Sequence, residues 1–475
     1  MSKILLFLCA LFLVTCTTNQ SNQKDATQPS AKQPNIIIIL TDDQGYKDVG
    51  FNGSEDILTP NIDAIAEEGI VFTNGYVSHP YCSPSRAGIM TGRYQQRFGH
   101  EHNVPFAPED ETMGTPLDEV FLSHKMKDAG YSTYAIGKWH LGDHPSYLPH
   151  KRGFDSWFGF SGGNMNFWGF PQKGGRMHIQ RNDALVRPNA LTYLTDDFTY
   201  EALSNIKDNG AKPFFMFLSY NAPHSPDHAT LEYLDKTAHI EFGKRSVYGA
   251  MIAGIDNGVG QIVDLLNEMN IRDNTLIIFL SDNGGRLDAA NNGPYRGHKG
   301  MLFEGGIRVP FALSWPAKLP KGKKYNEPII SLDLFATCMA AAGIIPSDND
   351  HLDGVNLLPY IGEKAENPLE RTLYWRVANG EEYAIRKGAY KLIKSAYKNK
   401  TMLFDLEHDH KEINDISSEH PEIVTQLHEL YERWNGELSV PRWTDPHMVN
   451  VRKEEANTSE YRKKSLSKKE QAIYE

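Results

Sequence analysis

Four residues with oxygen-bearing side chains occur as two adjacent pairs, and each pair directly follows an apolar run. Asp42 and Asp43 form the first pair, and Asp282 and Asn283 form the second. Oxygen donors of this kind suit a hard divalent cation, Ca²⁺ in the first place and Mg²⁺ in the second, rather than zinc. One such pair alone is typical of a turn or a helix cap. Because the pattern recurs after two predicted buried strands, it favours a metal site.

Cys82 opens the segment "CSPSR", in which Pro84 suits the first turn of a helix. A residue at that position lies at a helix N-terminus, where free backbone N–H groups attract anions. Arg86, one turn further on, can bind an anionic group. From these residues alone, a thiolate nucleophile with a low pKa and a packing cysteine are both open interpretations. The neighbouring serines and arginine favour chemistry over packing.

Two lysines and two histidines add positive charge and proton-transfer capacity near other predicted strand ends. They are Lys138, His140, His224 and Lys299. Each one alone is weak support for a site, since single histidines are commonly structural and single lysines are commonly solvated. Close to a metal site, however, the lysines would neutralise a sulfate or phosphate, and a histidine could move protons.

The elements that must position these residues are apolar runs at 35–41, 213–220 and 275–281. The runs are continuous and rich in Ile and Phe, which is typical of buried parallel strands. Residues 131–142 add a fourth strand-like stretch. With helical segments between them, the runs predict an α/β fold: a large, doubly wound, mostly parallel sheet flanked by helices. Ligands bind at the carboxyl ends of such strands, so we expect the polar residues to meet in one site.

The N-terminus predicts an exported protein. Residues 1–16 combine Lys3 with a short apolar run and end at Cys16 in a lipobox-like sequence, which is typical of a signal peptide. Residues 17–33 are polar and lack periodicity, so we expect a flexible tether. The predicted location is the periplasm or the cell surface, with membrane attachment only through a lipid on Cys16. Plain secretion is the alternative.

The remaining chain divides into a predicted catalytic domain, residues 34–364, and a smaller α+β subdomain, residues 365–475. In the second part, alternating segments predict an antiparallel sheet, an amphipathic segment predicts a helix, and a charged tail follows. Acidic residues outnumber basic ones by 60 to 49, giving a net charge of -11. This balance argues against a general nucleic-acid binder.

Two cysteines remain in the predicted folded body, Cys82 and Cys338. Cys338 lies in an apolar helical segment, where a small buried thiol is the ordinary interpretation. A disulfide between the two is the alternative.

Six separated blocks resemble the signature of the formylglycine-dependent type I sulfatases, within the alkaline-phosphatase-like superfamily. In chain order the blocks are "TDDQG", "CSPSRAGIMTGR", "GKWHLG", "APH", "SDNGG" and "RGHKGMLFEGGIRVPF". Met90 stands where this family more usually has leucine. The resemblance extends from about residue 34 into the C-terminal subdomain, and it implies hydrolysis of sulfate esters.

The resemblance implies that Cys82 is a precursor rather than the final nucleophile. In that family a formylglycine-generating enzyme, or an anaerobic sulfatase-maturing enzyme, oxidises the signature cysteine to formylglycine, whose hydrate is the nucleophile. The resemblance also implies one Ca²⁺ ion. Its ligands would be the oxygen of the modified residue 82 with Asp42, Asp43, Asp282 and Asn283.

Further catalytic roles follow from the same resemblance. Arg86 would stabilise the nucleophilic hydroxyl, while Lys138 and Lys299 would offset charge on the sulfate oxygens. His224, together with Lys299, would bind the sulfate and protonate the leaving alcohol. His140 would accept the proton of the second hydroxyl, and this transfer releases sulfate.

The predicted substrate is a sulfated polysaccharide or its oligosaccharides, either algal, such as ulvan or carrageenan, or a glycosaminoglycan. His144, Tyr295 and His298 are candidate substrate-binding residues. Aromatic residues within 154–170 either stack on sugar rings or pack in the core. The alternative functions are a formylglycine-dependent phosphodiesterase or phosphonate hydrolase of the same superfamily, and a non-catalytic protein that binds sulfated glycans.

Overall fold

A computed structural model describes residues 33–362, 368–396 and 400–444. The predicted signal peptide, the tether up to residue 32 and most of the charged tail lie outside these residues. Within them the chain forms sixteen strands and ten α-helices. The strands are β1 (Asn35–Thr41), β2 (Ile70–Phe72), β3 (Gly75–Tyr76), β4 (Ser132–Lys138), β5 (Ser156–Phe160), β6 (Gln180–Arg181), β7 (Ala184–Leu185), β8 (Phe214–Ser219), β9 (Thr275–Ser281), β10 (Phe311–Ser314), β11 (Lys323–Tyr325), β12 (Ile329–Ile330), β13 (Thr372–Val377), β14 (Glu382–Lys387), β15 (Tyr390–Ser395) and β16 (Lys400–Asp405). The helices are α1 (Pro60–Glu67), α2 (Cys82–Thr91), α3 (Leu122–Asp128), α4 (Leu194–Asp208), α5 (Leu231–Lys236), α6 (Lys244–Glu268), α7 (Glu304–Ile307), α8 (Asp333–Ala341), α9 (Leu358–Ile361) and α10 (Pro421–Asn435).

One mixed sheet of ten strands forms the centre of the fold, in the order β11-β2-β10-β9-β1-β8-β4-β5-β6-β7. The five central strands, from β9 to β5, run parallel to one another. Antiparallel strands flank them, with β10 beside β9 and the β6–β7 pair beside β5. The predicted large, mostly parallel sheet is therefore confirmed.

Side chains of the central strands alternate between two apolar layers. In β1, Ile36 and Ile38 pack with α2, α3 and α8 on one face. Ile37 and Ile39 pack with α1, α4 and α6 on the other face. Every residue of β1 is buried, which explains its uninterrupted apolar sequence. Burial on both faces contributes about 1.5–3 kcal/mol for each such side chain, so the strand ends that carry the polar residues are held firmly.

The C-terminal part forms the predicted antiparallel sheet and helix. Strands β13 to β16 pair in sequential order, and α10 packs on them through Leu427, Tyr431 and Trp434. The same apolar cluster includes Tyr76 and Ile307 from the first part of the chain. The predicted boundary near residue 364 therefore falls between parts that share a core.

A buried group of three charges joins this small sheet to the rest of the fold. Lys391 Nζ in β15 lies 2.8 Å from Glu304 Oε1 and 2.9 Å from Glu412 Oε1. All three side chains are fully buried. Since a buried charge is costly without a partner, Lys391 ties the two carboxylates together across the junction.

Within the described residues, Cys82 and Cys338 are both buried and free, so no disulfide joins them. Cys338 lies in the apolar core on α8, as the sequence predicted. In the same part of the chain, none of the helices is both long enough and apolar enough to cross a membrane.

Candidate active site

The carboxyl ends of β1 and β9 bring the two predicted pairs of metal ligands together. These strands pair in register through their last residues, so Asp42 and Asp43 lie beside Asp282 and Asn283. The backbone N–H of Asp43 donates to Asp282 Oδ1 at 3.2 Å. Asn283 Nδ2 donates to Asp43 Oδ1 at 2.8 Å. The predicted convergence of these four residues is observed.

Cys82 is the first residue of α2, as predicted, and it points into this cluster. Its Sγ lies 3.4 Å from Asp42 Oδ1 and 4.0 Å from Asp43 Oδ1. Lys299 Nζ lies 3.2 Å from the same sulfur. Burial raises the pKa of the thiol to about 12, although Lys138 and Lys299 oppose the rise. The unmodified thiol is therefore protonated near neutral pH, which disfavours the thiolate interpretation.

Arg86 is fully buried one helical turn after Cys82. Its Nε donates to Asp282 Oδ2 at 2.9 Å, and the two side chains are fully buried. Its Nη1 donates to the backbone oxygen of Lys138 at 3.0 Å and to Ser219 Oγ at 2.5 Å. Arg86 thus connects α2 to the ends of three strands, β4, β8 and β9.

Each predicted lysine pairs with one carboxylate of the first pair. Lys138 Nζ lies 2.6 Å from Asp42 Oδ2, and Lys299 Nζ lies 2.6 Å from Asp43 Oδ1. Burial alone would lower the pKa of Lys299, but Asp43 and Cys82 raise it well above its usual value. For the carboxyl group of Asp43, burial acts in the opposite direction and raises the pKa. The positive charge of Lys299 and the nearby His224 outweigh burial, so the pKa of Asp43 is lowered overall. Both members of this pair are charged.

The two predicted histidines lie near the cluster and are neutral. His140 follows β4 with a left-handed backbone, φ 64°, and burial together with Lys138 and Arg86 lowers its pKa well below 6.5. His224 Nε2 lies 3.6 Å from Asp43 Oδ2. Burial lowers the pKa of His224 to about 3, although Asp43 opposes the change.

The cluster offers donor atoms close enough together to hold a metal ion. Four side chains each offer one ligand atom within 4.8 Å of the others: Asp42, Asp43, Cys82 and His224. Asn283 Oδ1 is buried and has no hydrogen-bond partner, a condition that costs about 1–3 kcal/mol unless another group satisfies the oxygen. Burial and the nearby Asp42 raise the pKa of Asp282 to about 6, which reflects crowded negative charge. The inclusion of His224 in this set was not predicted.

The three predicted substrate-binding residues are less closely associated with the cluster. His298 is adjacent to Lys299, and its Nδ1 lies 2.8 Å from the Lys299 backbone oxygen. Tyr295 packs edge-on against Tyr46, with ring centroids 4.7 Å apart. His144 Nδ1 bonds locally to Ser146 Oγ at 2.9 Å. Binding of substrate by these three residues stays a prediction.

Sequence reasoning missed a polar contact that fixes the start of α2. Ser83 Oγ donates to the backbone oxygen of His140 at 2.7 Å and lies 2.7 Å from His100 Nε2. Asn103 Oδ1 accepts from the Ser83 backbone N–H at 3.1 Å. The polar run "GHEHN", residues 99–103, was the available signal, but nothing in its spacing indicated a contact with Ser83.

Comparison with known proteins identifies the family. The family model described as "Sulfatase" matches residues 34–344, which is more than half of the chain. The chain belongs to the sulfatase family. A second model, described as "N-sulphoglucosamine sulphohydrolase, C-terminal", matches residues 296–436.

Individual relatives agree with this assignment. N-acetylgalactosamine-6-sulfatase of Canis lupus familiaris is 34% identical over 396 residues, covering 75% of this sulfatase and 71% of that protein. The sulfatase YdeN of Escherichia coli is 32% identical over 405 residues, covering 74% and 70%. The crystal structure of Ps i-CgsB in complex with k-i-k-neocarrahexaose superposes with a TM-score of 0.83 at 38% identity, covering 88% of this sulfatase and 96% of that chain. The predicted fold and the predicted sulfatase activity are confirmed.

Proposed function

We propose that this sulfatase removes sulfate from carrageenan-type oligosaccharides, using formylglycine made from Cys82 and a bound Ca²⁺ ion. The observation that carries the proposal is the position of Cys82. Its sulfur lies at the N-terminus of α2, 3.4 Å from Asp42 Oδ1 and 3.2 Å from Lys299 Nζ. A group there meets two carboxylates and a lysine at once.

The substrate proposal rests on similarity. The solved relative whose crystal contained k-i-k-neocarrahexaose matches this chain over 88% of its length at 38% identity. The curated N-acetylgalactosamine-6-sulfatase is 34% identical. Both the identity and the coverage of this chain are higher for the solved relative than for the N-acetylgalactosamine-6-sulfatase. We therefore favour carrageenan-type sugars over glycosaminoglycans.

The residues that would hold the cation are Asp42, Asp43, Asp282, Asn283 and the modified residue 82. When bound, the ion supplies positive charge that attracts the sulfate oxygens. Formylglycine at position 82 would supply, as its hydrate, two hydroxyl groups, one as the nucleophile toward sulfur and one whose deprotonation would permit release of sulfate.

The protein side chains set the charge of the site. Three carboxylates, Asp42, Asp43 and Asp282, are matched by three cations, Lys138, Lys299 and Arg86. These six groups together are neutral, so a divalent cation leaves the site with a positive charge of two. This excess favours an anionic sulfate ester and the further negative charge that develops as the ester bond breaks. Lys138 and Lys299, next to residue 82, lie where they can bind the sulfate oxygens.

The histidines perform the two proton transfers. His224 Nε2 lies 3.6 Å from Asp43 Oδ2, and its side chain is 17% exposed, so it is the partly accessible histidine that we assign to the leaving alcohol. Negative charge on the bound sulfate raises the pKa of a neighbouring histidine, and His224 then donates its proton to the leaving oxygen. His140 is neutral and buried, so its ring accepts the proton of the second hydroxyl.

The first experiment tests the nucleophile. Protein made together with a formylglycine-generating enzyme is digested, and the mass of the Cys82 peptide is measured beside the rate of aryl sulfate hydrolysis. We expect a loss of about 18 Da at this peptide and activity that rises with the converted fraction, while Cys82→Ala is inactive. Turnover by protein whose Cys82 peptide keeps its thiol mass would refute the mechanism.

The second experiment tests the substrate. Sulfate release is measured on k-i-k-neocarrahexaose, on oligosaccharides containing N-acetylgalactosamine 6-sulfate, and on matched aryl sulfate and aryl phosphate. We expect the highest kcat/KM on the carrageenan oligosaccharide. Preference for the N-acetylgalactosamine series would move the assignment to glycosaminoglycans. Preference for aryl phosphate would instead favour the phosphoester hydrolase alternative.

A further inference from the structure

The segment at 161–170 begins in contact with the active site. The backbone oxygen of Ser161 accepts the N–H of His140 at 2.8 Å. Gly163 lies against the His140 ring, where an added Cβ would be only 2.8 Å from Nε2. The exposed side chains of this segment are therefore held at a fixed position relative to His140, one of the proposed proton-transfer residues.

A tryptophan on this segment is held with its ring exposed. Trp168 is 37% exposed, whereas the preceding Phe167 is fully buried and stacks on Tyr193 with ring centroids 5.7 Å apart. Asn166 Oδ1 accepts the backbone N–H groups of Trp168 and Phe170 at 3.0 and 3.2 Å, and its Nδ2 donates to the Phe170 backbone oxygen at 2.8 Å. The turn is thus fixed by its own hydrogen bonds, and the indole is presented by a pre-organised backbone.

His228 completes a platform with this indole. The two rings have centroids 6.4 Å apart and an angle of 30° between their planes. Tyr193 OH donates to the His228 backbone oxygen at 2.9 Å and holds this residue in place. His228 lies four residues after His224, so their Cα atoms are at most about 14 Å apart. The platform therefore joins segments that lead back to both proposed proton-transfer histidines.

The platform differs in chemistry from the sulfate site. Burial lowers the pKa of His228, so the ring is neutral near pH 7, and the indole carries no charge. The sulfate site, in contrast, is built from lysines, an arginine and carboxylates. A flat, neutral aromatic surface fits the C–H face of a sugar ring, and it does not fit a sulfate group.

We propose that Trp168 and His228 stack on a sugar ring next to the sulfated unit, so that the enzyme recognises an oligosaccharide rather than an isolated sulfated sugar. This inference rests on the proposed function, because it assumes a carbohydrate substrate at the same site. Among the other aromatic residues of this region, Trp157, Phe158 and Phe167 are buried in the core and cannot stack on a sugar, whereas Phe170 is 59% exposed in the same turn as Trp168.

The kinetic test compares a long and a short substrate. We expect Trp168→Ala to lower kcat/KM on k-i-k-neocarrahexaose about 10-fold, mainly through KM, and to leave hydrolysis of p-nitrophenyl sulfate within about twofold of wild type. Trp168→Phe keeps a flat ring and should recover most of the loss. The control variant Phe242→Ala removes an 83% exposed ring in the turn between α5 and α6. It should leave kcat/KM unchanged on both substrates.

A binding test separates this proposal from the proposed function. In the inactive Cys82→Ala background, calorimetry measures the Kd of k-i-k-neocarrahexaose with and without Trp168→Ala, and we expect about 10-fold weaker binding without the indole. An unchanged Kd would refute the proposed stacking of Trp168 on a sugar ring. An equal loss of kcat/KM on k-i-k-neocarrahexaose and on p-nitrophenyl sulfate would also refute it, because it would indicate a structural role for Trp168. Failure of the matured wild-type enzyme to hydrolyse p-nitrophenyl sulfate would count against the proposed function, while the Kd comparison would still decide the platform.

Discussion

Replacing Arg86 by methionine should destabilise the protein far more than the loss of one surface ion pair. The guanidinium donates to Asp282 Oδ2 at 2.9 Å and to two further acceptors, and the exposed fraction of both charged side chains is 0%. Arg86→Met leaves the Asp282 carboxylate buried without its partner, which typically costs about 3–5 kcal/mol. By comparison, Arg176 and Glu109 form a pair at 2.7 Å with exposures of 54% and 70%, and breaking such a pair costs less than about 1 kcal/mol.

Urea unfolding in the presence of a chelator, followed by tryptophan fluorescence, measures these free energies. The series comprises wild type, Arg86→Met, Asp282→Asn, the double variant and the control Arg176→Met. If the cost arises from the unpaired charge, the double variant should be more stable than Arg86→Met, because Asn at position 282 carries no charge. A loss of less than about 1 kcal/mol for Arg86→Met, or strict additivity in the double variant, would refute this reasoning.

Three further outcomes are expected. Metal analysis should find a hard divalent ion, and EDTA should lower the melting temperature with recovery on addition of Ca²⁺; stoichiometric zinc would contradict the oxygen-ligand argument. Asp256 accepts the backbone N–H groups of Asn61 and Ile62 at 2.9 Å, yet burial raises its pKa from 3.8 to about 6. Its contribution to stability is therefore fully present below about pH 4 and is lost as the pH rises through about 6, by up to about 3 kcal/mol; Asp256→Asn should lack this slope in denaturation measured from pH 4 to pH 7. Lys391→Met should lower the unfolding free energy by about 1–3 kcal/mol, because Glu304 keeps Arg308 at 3.1 Å while Glu412, whose pKa burial raises to about 7, loses its hydrogen bond from Lys391; a change below about 1 kcal/mol in urea unfolding would show that Lys391 does not stabilise the junction.

The central strands and the convergence of their polar ends could be predicted from sequence, because burial on both faces leaves a continuous apolar pattern. The pattern at 275–281 matched β9 fully, and the pattern at 213–220 differed from β8 by one residue at each end. The convergence of Asp42 and Asp43 with Asp282 and Asn283 followed directly, since a residue just past a parallel strand lies at a known edge of the sheet.

Contacts between distant segments could not be predicted in the same way. The approach of His224 to Asp43 depends on how the chain turns after β8, and the bond between Ser83 and His100 depends on where a loop returns. No local periodicity encodes either distance. The aromatic segment shows the same limit, because Phe167 and Trp168 are neighbours of similar character, and only the turn fixed by Asn166 buries one and exposes the other.

The buried contact between Glu412 and the catalytic part also bears on how this enzyme can be re-engineered. The backbone oxygen of Glu412 accepts from Arg296 Nη1 at 2.8 Å, and its Oε2 accepts from the Glu304 N–H at 2.7 Å. One residue of the C-terminal chain thus holds both ends of the segment that carries Lys299. A chimaera that exchanges the C-terminal sheet between sulfatases must therefore exchange the Lys299 segment with it, because Lys299 and its distant support form a single structural unit.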